Sequence, residues 1–412
     1  MATTHYILAG WLIDGSGGPV REKVLLAISD GRFTAVGPYE EGQLPTGASL
    51  TDLSHCTIMP PLVDSHVHLF MSGTIDRQAR ERQLVADYDE LRPIIARHLR
   101  DLFSHGVLAI RDGGDRGGFA SRYCAEEKVP AAMQIMTAGQ AWYSQSRYGG
   151  LIGRNPGQGE SLAEAYAGGD GQADVVKLVN SGLNSLQVFG RETAPQFDRD
   201  EIAALVRLAN RQGRKVMVHA NGQEPVRNAI EGGCHSIEHG YFMGRDNLAR
   251  MAELGIFWVP TVFTMKAYAL NFAHAEPQAN LQVVQKNLEH QLGQLALARQ
   301  LGVKVALGTD AGSLGVLHGE SVVEEMKLMI KAGYPLTETI AAATSSGAEL
   351  LGLPQIGLIA KNKEATFLVT RGLPSQLPRK LTYLEGMYIN GLPSQDYRKN
   401  PVKHLGVRQE MT

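Results

Sequence analysis

The chain has 412 residues, of which 43% are hydrophobic and 20% are charged, a balance typical of a globular protein with a large core. Its 40 lysines and arginines nearly balance its 42 aspartates and glutamates, and the resulting net charge of −2 argues against a nucleic-acid partner. No run of about 18 consecutive apolar residues predicts a membrane-spanning helix. The N-terminal sequence lacks the features of a signal peptide, and the three cysteines are far apart, as is typical of reduced thiols. We therefore expect a soluble cytoplasmic protein.

Both ends of the chain predict β-strands. The N-terminal segment contains the apolar runs HYILAGWLID, KVLLAIS and RFTAVG, which are separated by turn sequences such as GSGG and DGR. The C-terminal segment contains ATFLVT and LTYLEGMYING, separated by RGLPSQLPRK. We predict that residues 1–57 and 358–412 pair into one small β-sandwich domain.

The middle of the chain alternates short apolar runs with longer helical stretches. The runs are CTIMPPLVD, VLAIRD, AAMQIMTAG, DVVKLVN, KVMVHAN, SIEHGY, IFWVPT and KVALGTD. Helical periodicity extends over residues 77–104, 199–213, 283–302 and 321–333. Eight β/α repeats over about 300 residues favour an α/β fold, a (β/α)8 TIM-type barrel spanning residues 58–357, over an open doubly wound sheet. No GxGxxG or P-loop motif follows the first strand, which weakens a nucleotide-binding interpretation.

Several of these runs carry polar residues where a barrel would place its active site. Catalytic groups of such barrels lie at the carboxyl ends of the strands. The polar set is His66 and His68 in DSHVH, Lys177 in VVKLVN, His219 in VMVHAN, His239 in SIEHG and Asp310 in ALGTDAG. Residues two apart on a strand share a face, so His66 and His68 point the same way. A lone histidine at a strand end usually has a structural role, but four imidazoles and a carboxylate at one mouth favour a metal site.

Lys177 and Asp310 are the candidate catalytic residues. The apolar surroundings of Lys177 predict burial, which lowers the pKa of an amine, and a neutral amine can combine with carbon dioxide to give a carboxylate that bridges two metals. The alternative for this lysine is a buried salt bridge to Asp310 or Asp112. Asp310 can bind a metal and also accept a proton from metal-bound water. It can equally serve as a turn or helix-cap residue in GTDAGS.

Five segments resemble, in the same order, the motifs of the amidohydrolase superfamily of metal-dependent hydrolases. They are PPLVDSHVH, VVKLVNSG, VMVHANG, HSIEHG and ALGTDAG. Within that superfamily, SHGVLAIRDGG and DVVKLVNSG resemble segments of the imidazolonepropionase-like or Xaa-Pro dipeptidase-like group. The resemblance implies two divalent metal ions, zinc by default, one held by His66, His68 and Asp310 and the other by His219 and His239. It also implies that a carbon-dioxide-derived carboxylate on Lys177 bridges the two ions, and that the protein is a homo-oligomer.

Members of this group hydrolyse amide bonds in N-acyl amino acids, dipeptides and related small molecules. We therefore expect a binuclear amidohydrolase in which a metal-bridging hydroxide attacks the carbonyl of a dipeptide or N-acyl amino acid, and Asp310 passes a proton to the departing amine. One alternative is a mononuclear hydrolase or deaminase of a cyclic amide. Others are a hydrolase of carbamates, ureas, lactones or organophosphate esters, and a non-catalytic barrel that serves as a binding module. Gly222 stands where cytosine-type deaminases carry a glutamate, which argues against deamination.

The substrate contacts are predicted from loops at the same mouth. The stretch after the third strand, GQAWYSQSRYGGLIGRNPGQGE, is long, glycine-rich and aromatic, as is typical of a loop that covers a barrel mouth. Its candidate contacts are Tyr143, Arg147 and Tyr148, where arginine suits a substrate carboxylate. Further candidates are Tyr241, two residues after His239, and His318, which opens the helix after the eighth strand. For these residues, an ordinary surface or packing role is the alternative. Asp64 is expected to orient a histidine.

Overall fold

The computed structural model describes residues 4–169 and 173–397. The strands are β1 (His5–Leu12), β2 (Arg21–Ser29), β3 (Arg32–Pro38), β4 (Ser49–Met59), β5 (Leu62–Val67), β6 (Val107–Asp112), β7 (Gln134–Thr137), β8 (Ala141–Trp142), β9 (Gly153–Arg154), β10 (Val176–Val179), β11 (Val216–Ala220), β12 (Ser236–His239), β13 (Phe257–Val259), β14 (Phe367–Arg371), β15 (Gly386–Ile389) and β16 (Leu392–Pro393). The α-helices are α1 (Arg77–Val85), α2 (Tyr88–Ser104), α3 (Phe119–Glu126), α4 (Leu162–Ala167), α5 (Arg199–Arg211), α6 (Gln223–Glu231), α7 (Gly244–Leu254), α8 (Phe263–Leu270), α9 (Leu281–Leu301), α10 (Glu320–Lys331), α11 (Leu336–Ala342) and α12 (Ser345–Leu351). None of the described helices is long and apolar enough to cross a lipid bilayer.

The middle of the chain is a closed parallel barrel. Strands β5, β6 and β7 form one parallel arc, and β10, β11, β12 and β13 form the other. The arcs meet where the carbonyl oxygen of Thr137 accepts the backbone N–H of Asp174 over 2.8 Å. The helices between the strands cover the outside, and the fold class predicted from the β/α alternation is confirmed.

The eighth barrel segment, residues 304–311, makes only isolated bridges, from Val305 to Trp258 of β13 and from Ala311 to Val67 of β5. The backbone N–H of Ser65 donates to the carbonyl of Leu307 over 2.9 Å and closes the ring. Two residues further along, the backbone N–H of Thr309 donates to the side-chain carboxylate of Asp64 over 2.9 Å. A regular strand ladder does not form here because this amide bonds to a side chain instead of a backbone carbonyl.

The helical stretch predicted over residues 77–104 is two helices. Asp87 caps α2, since its side chain accepts the N–H of Glu90 while the Glu90 carboxylate accepts the N–H of Asp87. This capping box starts a new helix after Ala86, which has extended backbone angles. The apolar periodicity crosses the break because both helices bury residues against the barrel.

Strands from the described N-terminal and C-terminal segments join one seven-stranded sheet with the order β16-β15-β14-β4-β1-β2-β3. Its core contains Ile7, Leu26 and Ile58 from the N-terminal segment together with Phe367 and Val369 from the C-terminal one. Strand β4 ends at Met59 and β5 begins at Leu62, so a Pro-Pro link connects the sheet directly to the barrel. Of the predicted segment 358–412, residues 398–412 lie outside the described part of the chain.

Candidate metal centre

The six predicted ligands converge at the carboxyl end of the barrel. The ring of His66 lies 5.4 Å from that of His68 and 5.0 Å from that of His239, measured between centroids. The rings of His219 and His239 are 4.7 Å apart. The side chains arrive from β5, β10, β11, β12 and the segment that closes the barrel, which is how strands far apart in sequence build one site.

Two charged groups complete the cluster. The Nζ of Lys177 lies 3.5 Å from the Nε2 of His66, and no ion pair joins this lysine to a described carboxylate. The predicted alternative of a salt bridge to Asp310 or Asp112 is therefore not formed in this structure. The Oδ1 of Asp310 lies 3.6 Å from the Nε2 of His66 and 3.5 Å from the Nε2 of His68. Lysine and aspartate thus both face the same histidine nitrogen.

The backbone bends sharply at two of these positions. His239 has a φ of 66° and Asp310 a φ of 59°, both in the left-handed region that costs an ordinary residue about 1 kcal/mol or more. Each residue lies where its barrel segment ends. The strain is typical of functional sites, where the surrounding structure fixes a side chain in a conformation that the chain would otherwise avoid.

In both His66 and His68, one ring nitrogen is hydrogen-bonded and the other is directed into the cluster. The Nδ1 of His66 is hydrogen-bonded to Oε2 of Glu238 over 2.7 Å, and the Nδ1 of His68 to the carbonyl of Gly114 over 2.9 Å. Since both partners are acceptors, each Nδ1 carries the proton. The Nε2 atoms that face Asp310 therefore present lone pairs.

His219 and His239 are each also hydrogen-bonded through one ring nitrogen. The Nε2 of His219 lies 3.2 Å from the carbonyl of Gly182, so this ring carries its proton on Nε2 and leaves Nδ1 for a ligand. The Nδ1 of His239 is hydrogen-bonded to the hydroxyl of Thr261 over 2.7 Å, which leaves Nε2. All four rings are therefore anchored on one side, as ligating histidines are in metal sites.

Burial sets the charge of the cluster. It lowers the pKa of His68 to about 4 and that of His219 to about 3, and it holds the pKa values of His66 and His239 well below the ordinary range. Neutral imidazoles are the form that binds metal. Burial also lowers the pKa of Lys177 to about 8, although nearby carboxylates oppose the shift.

Asp310 behaves as a buried carboxyl group. Burial raises its pKa to about 6, while a hydrogen bond from the hydroxyl of Ser313 over 2.9 Å and the charge of Lys177 act in the opposite direction. Since Ser313 binds Oδ2, the other oxygen is directed at His66 in β5 and at His68, which follows that strand.

The cluster fits a divalent metal ion. His66, His68 and Asp310 each offer a ligand atom, and these atoms lie within 4.8 Å of one another. A Cβ placed on Gly113 would stand 2.7 Å from Cε1 of His68 and 3.1 Å from Nε2 of His66, so the glycine keeps the space beside these nitrogens open. Neutral imidazole with carboxylate is a donor set suited to zinc and related ions. His219 and His239 offer a second set beside it.

Of the predicted substrate contacts in the loop after β8, Tyr148 lies beside the cluster, with its ring 5.5 Å from that of His219. Tyr143 is half-buried in the same loop, where its backbone N–H donates to the carbonyl of Arg154. Arg147 is exposed, and its guanidinium donates to the carbonyl of Ala194 over 2.7 Å. The structure therefore brings Tyr148 to the mouth, whereas Arg147 binds a neighbouring loop.

The other two candidates are buried beside the cluster. Tyr241 is 2% exposed, and its hydroxyl lies 3.5 Å from that of Thr264. His318 stacks on His98 with centroids 3.9 Å apart, and its Nε2 is hydrogen-bonded to the backbone carbonyl of His68 over 3.2 Å. In this arrangement His318 holds the backbone of His68, one of the predicted ligands.

Two buried charges in the barrel interior are not among the site residues predicted from the sequence. Arg111 on β6 and Glu238 on β12 form an ion pair of 2.8 Å, and Glu238 is also the partner of His66. A charge within the apolar run VLAIRD and another in SIEHG were the available signals. Asp64, expected to orient a histidine, accepts the backbone N–H of His66 over 3.3 Å and otherwise binds Thr309.

A closed (β/α)8 barrel with buried imidazoles and a carboxylate at its carboxyl mouth defines the class of barrel hydrolases that use metal ions. The amidohydrolase family matches residues 57–394, which is most of the chain. The chain belongs to this family and is a hydrolase, as the resemblance predicted.

The chain is similar to several characterised proteins over most of its length. It is 27% identical over 397 residues to the ochratoxinase of Aspergillus niger, covering 88% of this chain and 79% of that one. It is 24% identical over 428 residues to the imidazolonepropionase of Paracoccus denitrificans, covering 94% and 96%. The solved structure of a Xaa-Pro dipeptidase with bound methionine has a TM-score of 0.77 at 24% identity, covering 95% of this chain and 100% of that one. The shared fold follows from the last comparison.

Proposed function

We propose that the protein is a binuclear metal-dependent amidohydrolase that cleaves the amide C–N bond of a dipeptide or an N-acyl amino acid. One observation carries the proposal. Four neutral imidazoles, each anchored through one nitrogen, surround the buried Lys177 and Asp310 at the barrel mouth. The similarity to a Xaa-Pro dipeptidase supports a dipeptide substrate.

His66, His68 and Asp310 would hold one metal ion and His219 and His239 the other, with a carboxylated Lys177 between them. Zinc is the ion we propose, because imidazole and carboxylate ligands suit it. When bound, such ions polarise a carbonyl group and make coordinated water more acidic. Lys177 is buried, contacts His66 and forms no ion pair with a described carboxylate, which supports its modification.

Asp310 would move the proton. Its Oδ1 faces the space between His66 and His68, while Ser313 fixes Oδ2. From this position, the carboxylate takes the proton of the attacking water and delivers it to the departing nitrogen. Water adds to the amide carbon, the C–N bond breaks, and the products are a carboxylic acid and an amine.

Tyr148 and its loop would contact the substrate. The ring stands beside His219, and burial raises the pKa of its hydroxyl above the ordinary value, so the group remains a neutral donor. A neutral phenol at this place can donate to a carbonyl or carboxylate of the substrate. Residues of the loop after β8 therefore select what enters the mouth.

A second candidate function is a mononuclear hydrolase or deaminase of a cyclic amide. The group of His66, His68 and Asp310 completes a single-ion site on its own, and the similarity to an imidazolonepropionase points the same way. Carbamates, ureas, lactones and organophosphate esters belong in the same assay panel, since activated water attacks these groups too.

We also propose a cytoplasmic location and a homo-oligomer. Cell fractionation and light scattering of the purified protein measure these two properties directly.

The test combines metal content with the state of the lysine. Protein purified without chelators is analysed for metal per chain, and 13C-labelled bicarbonate is supplied to detect a lysine carbamate by NMR, with Lys177→Met as the matched control. Two ions per chain, a carbamate signal absent from the control, and cleavage of dipeptides or N-acyl amino acids are expected. One ion and no carbamate would contradict the binuclear site and favour the cyclic-amide candidate.

A further inference from the structure

The barrel interior below the candidate metal centre contains a fully buried ion pair. Arg111 on β6 is 1% exposed and Glu238 on β12 is inaccessible. The Nη2 of Arg111 donates to Oε1 of Glu238 over 2.8 Å. A pair of opposite charges in such a place costs desolvation, and apolar residues of similar volume are often as stable there. The pair therefore calls for a role beyond stability.

Each of the three guanidinium nitrogens of Arg111 donates a hydrogen bond, and two of these bonds help to hold Glu238 in place. Its Nε donates to the carbonyl of Ser65 over 2.8 Å, and its Nη1 donates to the hydroxyl of Ser236 over 3.0 Å. That hydroxyl in turn donates to Oε1 of Glu238 over 2.5 Å. These bonds satisfy one carboxylate oxygen and leave the other, Oε2, directed at the Nδ1 of His66.

Among the four imidazoles of the centre, His66 has the strongest partner. His68 and His219 are bound to backbone carbonyls and His239 to a hydroxyl, whereas His66 donates to a carboxylate. A carboxylate acceptor fixes the tautomer most firmly and makes the opposite nitrogen a better ligand. Only the site of His66, His68 and Asp310 therefore contains an imidazole that is hydrogen-bonded to a carboxylate.

We propose that the Arg111–Glu238 pair is a positioning device for His66, which fixes its Nδ1–H tautomer and makes the His66, His68 and Asp310 set the tighter of the two metal sites. The inference rests on the proposed function in one respect, because it takes His66 as a metal ligand. Glu238 and Arg111 are positioning residues, since they act on the metal only through the imidazole.

The experiment compares four forms of the full chain: wild type, Glu238→Gln, the double variant Arg111→Met with Glu238→Gln, and Glu325→Gln. Glu325 is the matched control, a buried glutamate whose side chain accepts the backbone N–H groups of Val262 and Phe263 and forms no described hydrogen bond with the four imidazoles. The double variant removes both charges, so it tests His66 without leaving an unpaired arginine. Metal retained per chain is measured by elemental analysis across a chelator series.

In wild type and Glu325→Gln we expect the two ions to leave in two steps. Both variants at Glu238 should lose the tighter ion at a chelator concentration about 10-fold to 100-fold lower. A double variant that holds metal as wild type does would overturn the proposal. The loss in Glu238→Gln would then come from the unpaired charge of Arg111 and not from the missing carboxylate at His66.

A second measurement is independent of metal. In the metal-free protein, 15N NMR of the His66 ring reports which nitrogen carries the proton. We expect the Nδ1–H form alone in wild type and Glu325→Gln, and a mixture of tautomers in both Glu238 variants. An unchanged Nδ1–H form in those variants would refute the positioning role. If the proposed function itself is wrong, the wild-type protein binds no metal, and that result is distinct from any change in the His66 tautomer.

Discussion

The side-chain amide of Gln196 donates a hydrogen bond to the backbone carbonyl of Tyr148 over 2.8 Å. The same side chain accepts the N–H of Ser144 over 2.8 Å and donates to the carbonyl of Ser181 over 3.2 Å. One glutamine thus joins the loop after β8 to the loop after β10. It also holds Tyr148 beside the ring of His219 at the barrel mouth.

Replacing Gln196 by alanine should weaken substrate binding more than it slows the chemical step. The variant loses the bond to the Tyr148 carbonyl and those to Ser144 and Ser181, each worth about 1 kcal/mol, so we expect KM to rise by about five-fold or more while kcat changes less. Steady-state kinetics with the best dipeptide or N-acyl amino acid measures both. Gln187→Ala, an exposed glutamine of the same loop, is the control that should leave KM unchanged. Equal KM values for the two variants would contradict a role for this loop junction.

Gly113→Ala should reduce metal content without unfolding the protein. The new Cβ would lie 2.7 Å from Cε1 of His68, closer than real Cβ contacts come, and 3.1 Å from Nε2 of His66, tighter than most of them. Elemental analysis should therefore show at least one ion fewer per chain than wild type.

The control for this change is Gly293→Ala in α9, where a Cβ meets no atom within 4 Å. Alanine should stabilise the helix by about 0.5–1 kcal/mol and leave the metal content as it is. Full metal content in Gly113→Ala would show that the space beside His66 and His68 holds no ion.

Removal of metal should abolish activity and lower the melting temperature. Anything that binds only the folded state stabilises it, by about 2.7 kcal/mol when the free ligand is at 100 times its Kd. Protein treated with a chelator should therefore melt earlier than protein dialysed in parallel, and added zinc should restore both properties. Activity that survives complete loss of metal would exclude the proposed chemistry.

The stability of wild type should fall between pH 5 and pH 8 more steeply than that of Glu325→Gln. Burial raises the pKa of Glu325 from 4.5 to about 8, so the folded state holds a proton that the unfolded state releases. Its contribution is present below pH 4.5 and is lost as the pH rises towards 8, to the extent of a few kcal/mol. Urea unfolding of both proteins at each pH gives the two slopes. Parallel slopes would mean that Glu325 is ionised in the folded protein.

The positions of the candidate ligands could be predicted because all of them except Lys177 lie at the end of an apolar run or just after it. His66 and His68 share a strand face by simple alternation, and the barrel topology then brings His219, His239 and Asp310 to the same mouth. No contact had to be known in advance. The predicted β/α order was enough to place these side chains together.

Contacts made inside the barrel could not be read in this way. The pairing of Arg111 with Glu238 joins β6 to β12 across the interior, between residues that are far apart in the sequence. The same holds for Asp64, whose bond to Thr309 replaces part of the eighth strand ladder. The break at Ala86 was hidden for another reason, since the apolar spacing continues across it and only the Asp87 cap marks it.

The sheet that both chain ends build has a consequence for synthesis of the protein on the ribosome. Strand β4 pairs with β1 on one side and with β14 on the other, where Cys56 is opposite Arg371. Until residue 371 has left the exit tunnel, one edge of β4 has no partner and is open to wrong pairing. All six candidate ligands are translated in that interval, and the sheet that leads into the first barrel strand is completed only after them.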